Sequence, residues 1–335
     1  MNSIKKLFLE ITNSCTQSCV HCSSFAEINS SDNIPFSLLC SIVEQAISLG
    51  LKEITLSGGE PLLHPDIISF LDFLQKKKIK TNIYSSGIIL TGKKLDVIPD
   101  FIIEKLTFIN KVIFSLHGKS SHIHEKISKI QGSFDITCKS IDKACKRKIP
   151  VELHFVPMNL NINDLDGIIQ YASSKGIKNI SLLRLVPQGR CSNELMLSCE
   201  QKQQLYKNVK RLRIQYPNIK IRMGAPFNCI NFSGIRCSAA QNKLLISAKG
   251  EVFPCEAFKF LRGTRPTIYQ STLEEIWEND KLLNNIRKIS LPQICINCTF
   301  KRFCLGGCHG QRLLANGDLI GCDPDCILNH SCAPA

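Results

Sequence analysis

The sequence predicts an α/β protein: a partial (β/α)6 TIM-like barrel over residues 1–217, followed by a small cysteine-rich domain over 218–335. Three observations predict it. Strand-like and helix-like segments alternate six times, the alternation breaks near residue 217, and the chain carries 18 cysteines, most densely over 295–332. Serial βα units imply a parallel sheet, because parallel neighbours need crossover connections, and right-handed crossovers without long antiparallel runs curl such a sheet toward an open or closed barrel.

Apolar, β-branched runs mark strands at 6–12, 52–57, 79–84, 111–116, 150–156 and 179–185. Helical patterns lie at 37–49, 66–76, 94–107, 133–147 and 163–174, with another at 198–215. Ser37 after Pro35, the pair Pro65-Asp66 and the pair Asn163-Asp164 are helix-start signals. Beyond 217 come strand-like pieces at 219–223 and 243–247, a Lys249-Gly250-Glu251 turn, and one helix at 272–287. This second part is too thin to hold a core without bound metal. In a barrel of this kind chemistry gathers at the C-terminal ends of the strands.

Composition narrows the function classes. A disulfide framework suits short secreted chains that cannot build a core. This chain is 44% hydrophobic, has no secretory signal core, and has no apolar run long enough for a transmembrane helix. Its thiols therefore read as metal ligands in a reducing cytoplasm. The formal charge is +14, from 42 basic and 28 acidic residues. Two four-thiolate cubane clusters and one three-thiolate cluster would remove about five of those charges. The remainder would attract an acidic peptide or a phosphate-bearing partner; solvated Lys-rich helix faces such as Lys76-Lys77-Lys78 are the plainer account.

Cys15-x3-Cys19-x2-Cys22 follows the first strand. Three thiolates in one tight loop can each bind one iron of a four-iron cube, leaving the fourth iron open to a small molecule. Structural zinc is the alternative, but zinc wants four closed ligands and this loop offers three. The adjacent His21 would point away from the Cys22 thiol. The next strand ends in Ser57-Gly58-Gly59-Glu60-Pro61, where two glycines let the backbone approach a ligand closely.

The cysteine loop and this second motif, at the ends of consecutive strands, resemble the radical S-adenosylmethionine (SAM) superfamily. The resemblance implies a [4Fe-4S] cluster on Cys15, Cys19 and Cys22, whose open iron is chelated by SAM. It further implies reductive cleavage to a 5′-deoxyadenosyl radical that abstracts hydrogen from substrate. Gly58, Gly59 and Glu60 would then bind the SAM amino group. His21 would take the place of the family's aromatic residue near the adenine. Ser86 in Ser85-Ser86-Gly87 ends the third strand, where the family often binds the ribose or carboxylate, and Ser115, with His117, ends the fourth as a further candidate for binding the cofactor. Arg184 after the sixth strand is a candidate partner for the SAM carboxylate or a substrate acid; a rim salt bridge is its structural alternative. Glu152 and His154 share one face of the fifth strand, either lining the cavity or forming a buried structural pair.

The second array runs Cys237-x12-Gly250-x4-Cys255, then Cys295-x2-Cys298-x5-Cys304-x3-Cys308-x13-Cys322. Spacing alone is compatible with two structural zincs. The pattern resembles the SPASM domain, which holds auxiliary iron–sulfur clusters in radical SAM peptide-modifying enzymes. By that resemblance one cluster takes Cys237, Cys255, Cys308 and an upstream thiol, Cys229. The other takes Cys295, Cys298, Cys304 and Cys322. Glu256, directly after Cys255, sits where sulfatase-maturing relatives place a catalytic carboxylate, and is a candidate base. Cys326 and Cys332 are surplus to the motif. Cys40, Cys138, Cys145, Cys191 and Cys199 read as small core residues.

The function implied is SAM cleavage and hydrogen abstraction from a peptide or protein. Only a few residues precede the first strand, so a separate leader-binding protein is the expected presenter, with flavodoxin or ferredoxin as reductant. The alternatives are a small-molecule substrate such as a tetrapyrrole, and a non-catalytic zinc module that contacts nucleic acid. Neither a membrane nor a nucleic acid is an expected partner of the enzyme.

Overall fold

The computed structural model describes residues 3–328. Its strands are β1 (Lys6–Thr12), β2 (Glu53–Gly58), β3 (Lys80–Ser85), β4 (Ile88–Thr91), β5 (Lys94–Val97), β6 (Lys111–Ser115), β7 (Val151–Phe155), β8 (Asn179–Leu182), β9 (Lys220–Met223), β10 (Lys243–Ile246) and β11 (Val252–Phe253). Nine of them form one sheet in the order β11-β10-β1-β2-β3-β6-β7-β8-β9. Every pairing in it is parallel except β10 with β11. The central strands β1, β2, β3, β6, β7 and β8 follow one another in chain order, the winding of a partial barrel, and the sheet does not close.

Period-two alternation decides which face meets the helices. Leu7, Leu9, Ile54, Leu56, Val112, Phe114, Leu153 and Phe155 are fully buried. They pack with helix residues such as Leu39, Val43, Phe70, Ile141 and Ile168 in one core cluster. Each such side chain contributes about 1.5–3 kcal/mol when fully buried. The alternate positions carry Phe8, Glu10, Thr55, Asn82, Tyr84, Glu152, His154 and Ser181, so the opposite face of the sheet is largely polar. Contacts across that face include Asn82 Nδ2 to Thr55 Oγ1 (3.3 Å), Ser181 Oγ to Glu152 Oε1 (2.5 Å) and the Tyr84 and His154 rings at 4.7 Å. Glu152 and His154 form a buried pair (3.1 Å), to which Lys111 adds an ion pair.

Two helical expectations change. The segment 94–107 is a helix only over Asp100–Leu106; its first part, β5, pairs with β4 in a two-stranded hairpin. Pro99 explains the break, because a proline disfavours helical backbone in the residue before it while suiting a helix start. The helix expected over 272–287 divides at Asp280 into Leu273–Asn279 and Lys281–Arg287. Asp280 accepts Leu283 N–H (2.9 Å) and Arg265 Nη2 (2.8 Å), so its side chain caps a second helix rather than continuing the first. A helix at Ser121–Ser128 was not evident from the pattern.

Strands β9, β10 and β11 all lie beyond residue 217, yet they extend the same sheet at both edges: β10 pairs with β1 and β9 with β8. The cysteine-rich C-terminal segments are therefore anchored at both sides of the partial barrel. No helix among the described residues is long and apolar enough to cross a membrane.

Candidate active site

The Cys15–Cys22 loop leaves β1 beside the end of β2, and the reason glycine is needed there is contact with this loop. A Cβ on Gly58 would lie 2.1 Å from Thr12 O, and one on Gly59 would lie 2.1 Å from Ser14 O. Gly58 also has φ +135°, open to glycine and strained for other residues. The backbones then lock together through Gly59 N–H to Thr12 O and Glu60 N–H to Ser14 O, both 2.8 Å. In this structure the two glycines serve close packing of β2 against the cysteine loop.

Glu60 is fully buried. Its carboxylate accepts from Ser85 Oγ (2.9 Å), Ser86 N–H (2.7 Å) and Ser86 Oγ (2.6 Å). Burial raises its pKa, and those hydrogen bonds oppose the rise. The ends of β1, β2 and β3 are thus tied together under the loop, and Ser86 binds Glu60. Ser115 ends β6, in register with His154.

His21 meets His117 edge to face at 4.7 Å, and His117 lies 5.4 Å from His124. His21 Nδ1, His117 Nδ1 and His124 Nε2 are buried without hydrogen-bond partners. Burial depresses all three rings, His21 and His124 to about 4, so they are neutral near pH 7. Cys15, Cys19 and Cys22 interact electrostatically with one another, and orphaned nitrogens on His21, next to Cys22, and on its neighbour His117 suit a site that takes a polar ligand.

Two residues that hold the loop had no motif to announce them. Arg190 donates from Nε to Cys19 O (3.0 Å) and from both terminal nitrogens to Ala26 O (2.9 Å each). Lys259, buried, bonds Glu10 Oε1 and Ser24 Oγ, joining the segment after Cys255 to β1 and to the chain just past Cys22. The nearby Gln188 side chain donates to Glu256 O (2.7 Å) and accepts Phe260 N–H (3.0 Å).

The auxiliary thiols fall into two neighbourhoods. Cys237, Cys255 and Cys308 interact electrostatically with one another. Cys295 and Cys304 interact with each other and with Cys326, and Cys295 also with Cys298. Cys326, surplus on spacing, is a further thiol beside the Cys295–Cys304 group, and the Cys322 carbonyl accepts from Asn316 Nδ2 (3.1 Å). Cys332 lies outside the described residues. Cys229 is buried near Cys304 as well as Arg184. Glu256 pairs with Lys243 Nζ (2.7 Å), whose ammonium lies 3.9 Å from the Phe8 ring centroid. Cys40, Cys138 and Cys145 sit in helices, Cys199 opens one, and Cys191 packs in a small cluster with Ile127 and Met158.

Arg184 takes the salt-bridge alternative, buried rather than at the rim surface. Rather than meeting a SAM or substrate carboxylate, its guanidinium grips Asp323 (2.6 and 2.7 Å) and Asp325 (2.9 Å), and donates to Pro226 O (2.8 Å). Its Nη1 also lies 3.6 Å from Cys229 Sγ. Lys202 adds a second cation on Asp325 (2.7 Å). With every side of the guanidinium engaged, Arg184 ties the end of β8 to the C-terminal cysteine loop.

Among the described residues no three His, Cys, Asp or Glu side chains converge on a single-ion site. The donor chemistry nevertheless fits iron–sulfur clusters: groups of soft sulfur ligands, with carboxylates held in other bonds. Burial pushes the metal-free thiols up, Cys15 and Cys304 to about 12 and Cys308 to about 11, from an ordinary 9.0. Folded thiols therefore keep protons that the unfolded chain releases above pH 9. Their contribution to stability is complete below pH 9 and is lost as pH rises through 11–12. Iron-free protein is expected to unfold at a lower temperature at pH 10.5 than at pH 8; equal midpoints would contradict this.

Residues 9–172 match the radical SAM superfamily model, and residues 237–299 match the SPASM model, described as an iron–sulfur cluster-binding domain. The PqqA peptide cyclase of Rhizobium meliloti is 23% identical over 329 residues, covering 96% of this chain and 86% of the relative. The AdoMet-dependent heme synthase of Methanosarcina barkeri is 24% identical over 356 residues, covering 97% of both. The structure of Streptococcus suis SuiB bound to precursor peptide SuiA superposes with a TM-score of 0.79 at 18% identity, covering 99% of this chain and 76% of SuiB. The first match contains Cys15, Cys19 and Cys22, and the second contains Cys237, Cys255, Cys295 and Cys298: the chain belongs to the radical SAM superfamily, as an enzyme with a SPASM domain that works with SAM and [4Fe-4S] clusters.

Proposed function

We propose that this enzyme modifies a peptide, drawing hydrogen from a side chain or α-carbon. The observation that carries the reading is the second set of thiols, Cys237, Cys255 and Cys308, near one another and tied back to the first cysteine loop through Lys259. Relatives named as peptide-modifying enzymes match along nearly the whole chain, which supports the same reading.

Cys15, Cys19 and Cys22 would hold the SAM-binding cluster. Cys237, Cys255, Cys308 and Cys229 would hold one auxiliary cluster, and Cys295, Cys298, Cys304 and Cys322 the other, with Cys326 a further thiol beside the second. When bound, the first cluster and SAM supply a primary carbon radical strong enough to take an unactivated hydrogen. The residues of the chain position and seal. Arg190, Gly58 and Gly59 fix the thiol loop, and Glu60 with Ser86 fastens the strand ends beneath it. The neutral rings of His21 and His117 offer polar nitrogens without adding charge. Glu256, already partnered by Lys243, is proposed as a base, with a separate peptide-presenting protein and a flavodoxin- or ferredoxin-type donor completing the reaction. A cytoplasmic setting, where thiols stay reduced, belongs to the same proposal.

The test is anaerobic loading with iron and sulfide, then incubation with SAM, reductant and short peptides encoded beside the gene. A SAM-dependent mass change in one peptide, with 5′-deoxyadenosine, is expected. The match to a heme synthase favours a second reading, a tetrapyrrole substrate. Turnover of a tetrapyrrole, with every peptide unchanged, would replace the first reading by the second.

A further inference from the structure

One short segment stands between the two cysteine regions. The 3-10 helix Glu256–Leu261 begins directly after Cys255. The helix His309–Asn316 begins directly after Cys308, and a Cβ on its Gly310 would lie 2.5 Å from the Ala257 Cβ. The chain beyond Cys308 therefore packs closely on the chain beyond Cys255. Where those two thiols are held sets where Glu256–Leu261 lies.

The same segment holds the Cys15–Cys22 loop from two sides. On one side Lys259 bonds Glu10 in β1 and Ser24 just past Cys22, and Ser24 Oγ donates to Glu10 Oε1 (3.0 Å). All three residues are buried. On the other side the buried Gln188 amide donates to Glu256 O (2.7 Å) and accepts Phe260 N–H (3.0 Å), so its orientation is fixed at both ends. The next two residues meet the thiol loop. A Cβ on Gly189 would lie 2.3 Å from Cys22 O, Arg190 N–H donates to Cys22 O (3.0 Å), and Arg190 Nε donates to Cys19 O (3.0 Å). Gln311, in the helix after Cys308, donates to Leu185 O (2.7 Å) on the same connector. Breaking the Gln188 bonds would leave buried polar groups unpaired, so a displacement of Glu256–Leu261 carries Gln188 with it.

Resting on the cluster assignment under the proposed function, we propose that Gln188 is a positioning residue through which the filled Cys237/Cys255/Cys308 site sets the geometry of the Cys15–Cys22 loop, so that emptying that site weakens SAM binding. No electron passes in this coupling. It is a difference in SAM affinity, and by linkage bound SAM favours the filled site to the same extent.

Equilibrium dialysis of labelled SAM against anaerobically loaded, unreduced full-length protein measures that affinity without turnover. Four proteins are compared: the parent, Gln188→Leu, Cys237→Ala and the double variant. Gln188→Leu keeps most of the side chain's bulk and loses both bonds, and Cys237→Ala removes one auxiliary ligand. Each single change is expected to raise the SAM dissociation constant about fivefold or more, the lower end of ordinary coupling between sites. The double variant should fall well short of the product of the two factors, because both act along one route, whereas independent effects multiply. Gln188→Glu keeps the acceptor for Phe260 N–H and loses the donor to Glu256 O, so its affinity should lie between those of the parent and Gln188→Leu. Unchanged affinity in Gln188→Leu with the parent's iron content overturns the proposal, and so do factors that multiply in the double variant. Should Gln188→Leu fail to fold, Gln188→Glu takes its place in the same comparison. If Cys237→Ala keeps all of the parent's iron, the assignment of that auxiliary site fails and this inference with it.

Discussion

Replacing Cys15, Cys19 and Cys22 together by alanine should reduce 5′-deoxyadenosine formation to background while leaving roughly two thirds of the bound iron, the share of two auxiliary cubes among three. The thiols are the ligands proposed for the cluster that meets SAM, whereas the auxiliary groups lie on other segments of the chain. Gly59→Ala provides the sharper comparison. Its added Cβ would meet Ser14 O at 2.1 Å, backbone against backbone, so the loop must shift although all three thiols remain. Overpacking of this kind costs about 1–3 kcal/mol. We expect SAM cleavage to fall at least tenfold with the auxiliary iron unchanged. Iron counting and quantification of 5′-deoxyadenosine check both variants. Wild-type cleavage by the triple variant would remove the assignment of this loop; wild-type cleavage by Gly59→Ala would show that the loop tolerates displacement.

Arg184→Met should be the most destabilising single change outside the hydrophobic core. It leaves Asp323 and Asp325 buried, with Lys202 paired to Asp325 and Arg312 interacting with Asp323 without a direct ion pair. Breaking a buried pair by removing one partner costs about 3–5 kcal/mol, because the remaining charge is neither solvated nor matched. Arg184→Lys should recover little, since a lysine cannot reproduce the forked contact with Asp323. Asp323→Asn in the Arg184→Met background should recover part of the loss by removing one stranded charge. Denaturant midpoints of the variants measure this, and auxiliary iron should fall with stability because Cys308 N–H also bonds Asp323 (2.6 Å). A stability change below about 1 kcal/mol, the range of exposed ion pairs, would contradict this role.

The strand–helix alternation was legible because period-two and period-3.6 patterns are local properties. The first cysteine loop was legible because its three ligands lie within a few residues of one another. The Asp280 cap and the Pro99 break had local signals too, but a continuous apolar period masked them. Cys326 differs: spacing left it surplus beside Cys322, and only the course of the last loop brings it to Cys295 and Cys304.

By itself the sequence determined the sheet's parallel winding, the triad of thiols with its glycine-rich neighbour, and the presence of a second metal-binding region. The tertiary structure decided what the lone charged and polar residues do. Arg184 meets Asp323 across 139 residues, Arg190 meets Cys19 across 171, and Lys259 meets Glu10 across 249. The physical reason is the range of the interactions. Backbone periodicity and short ligand loops are set by neighbours in the chain, whereas a buried charge takes whichever counter-charge the completed fold brings within hydrogen-bond reach.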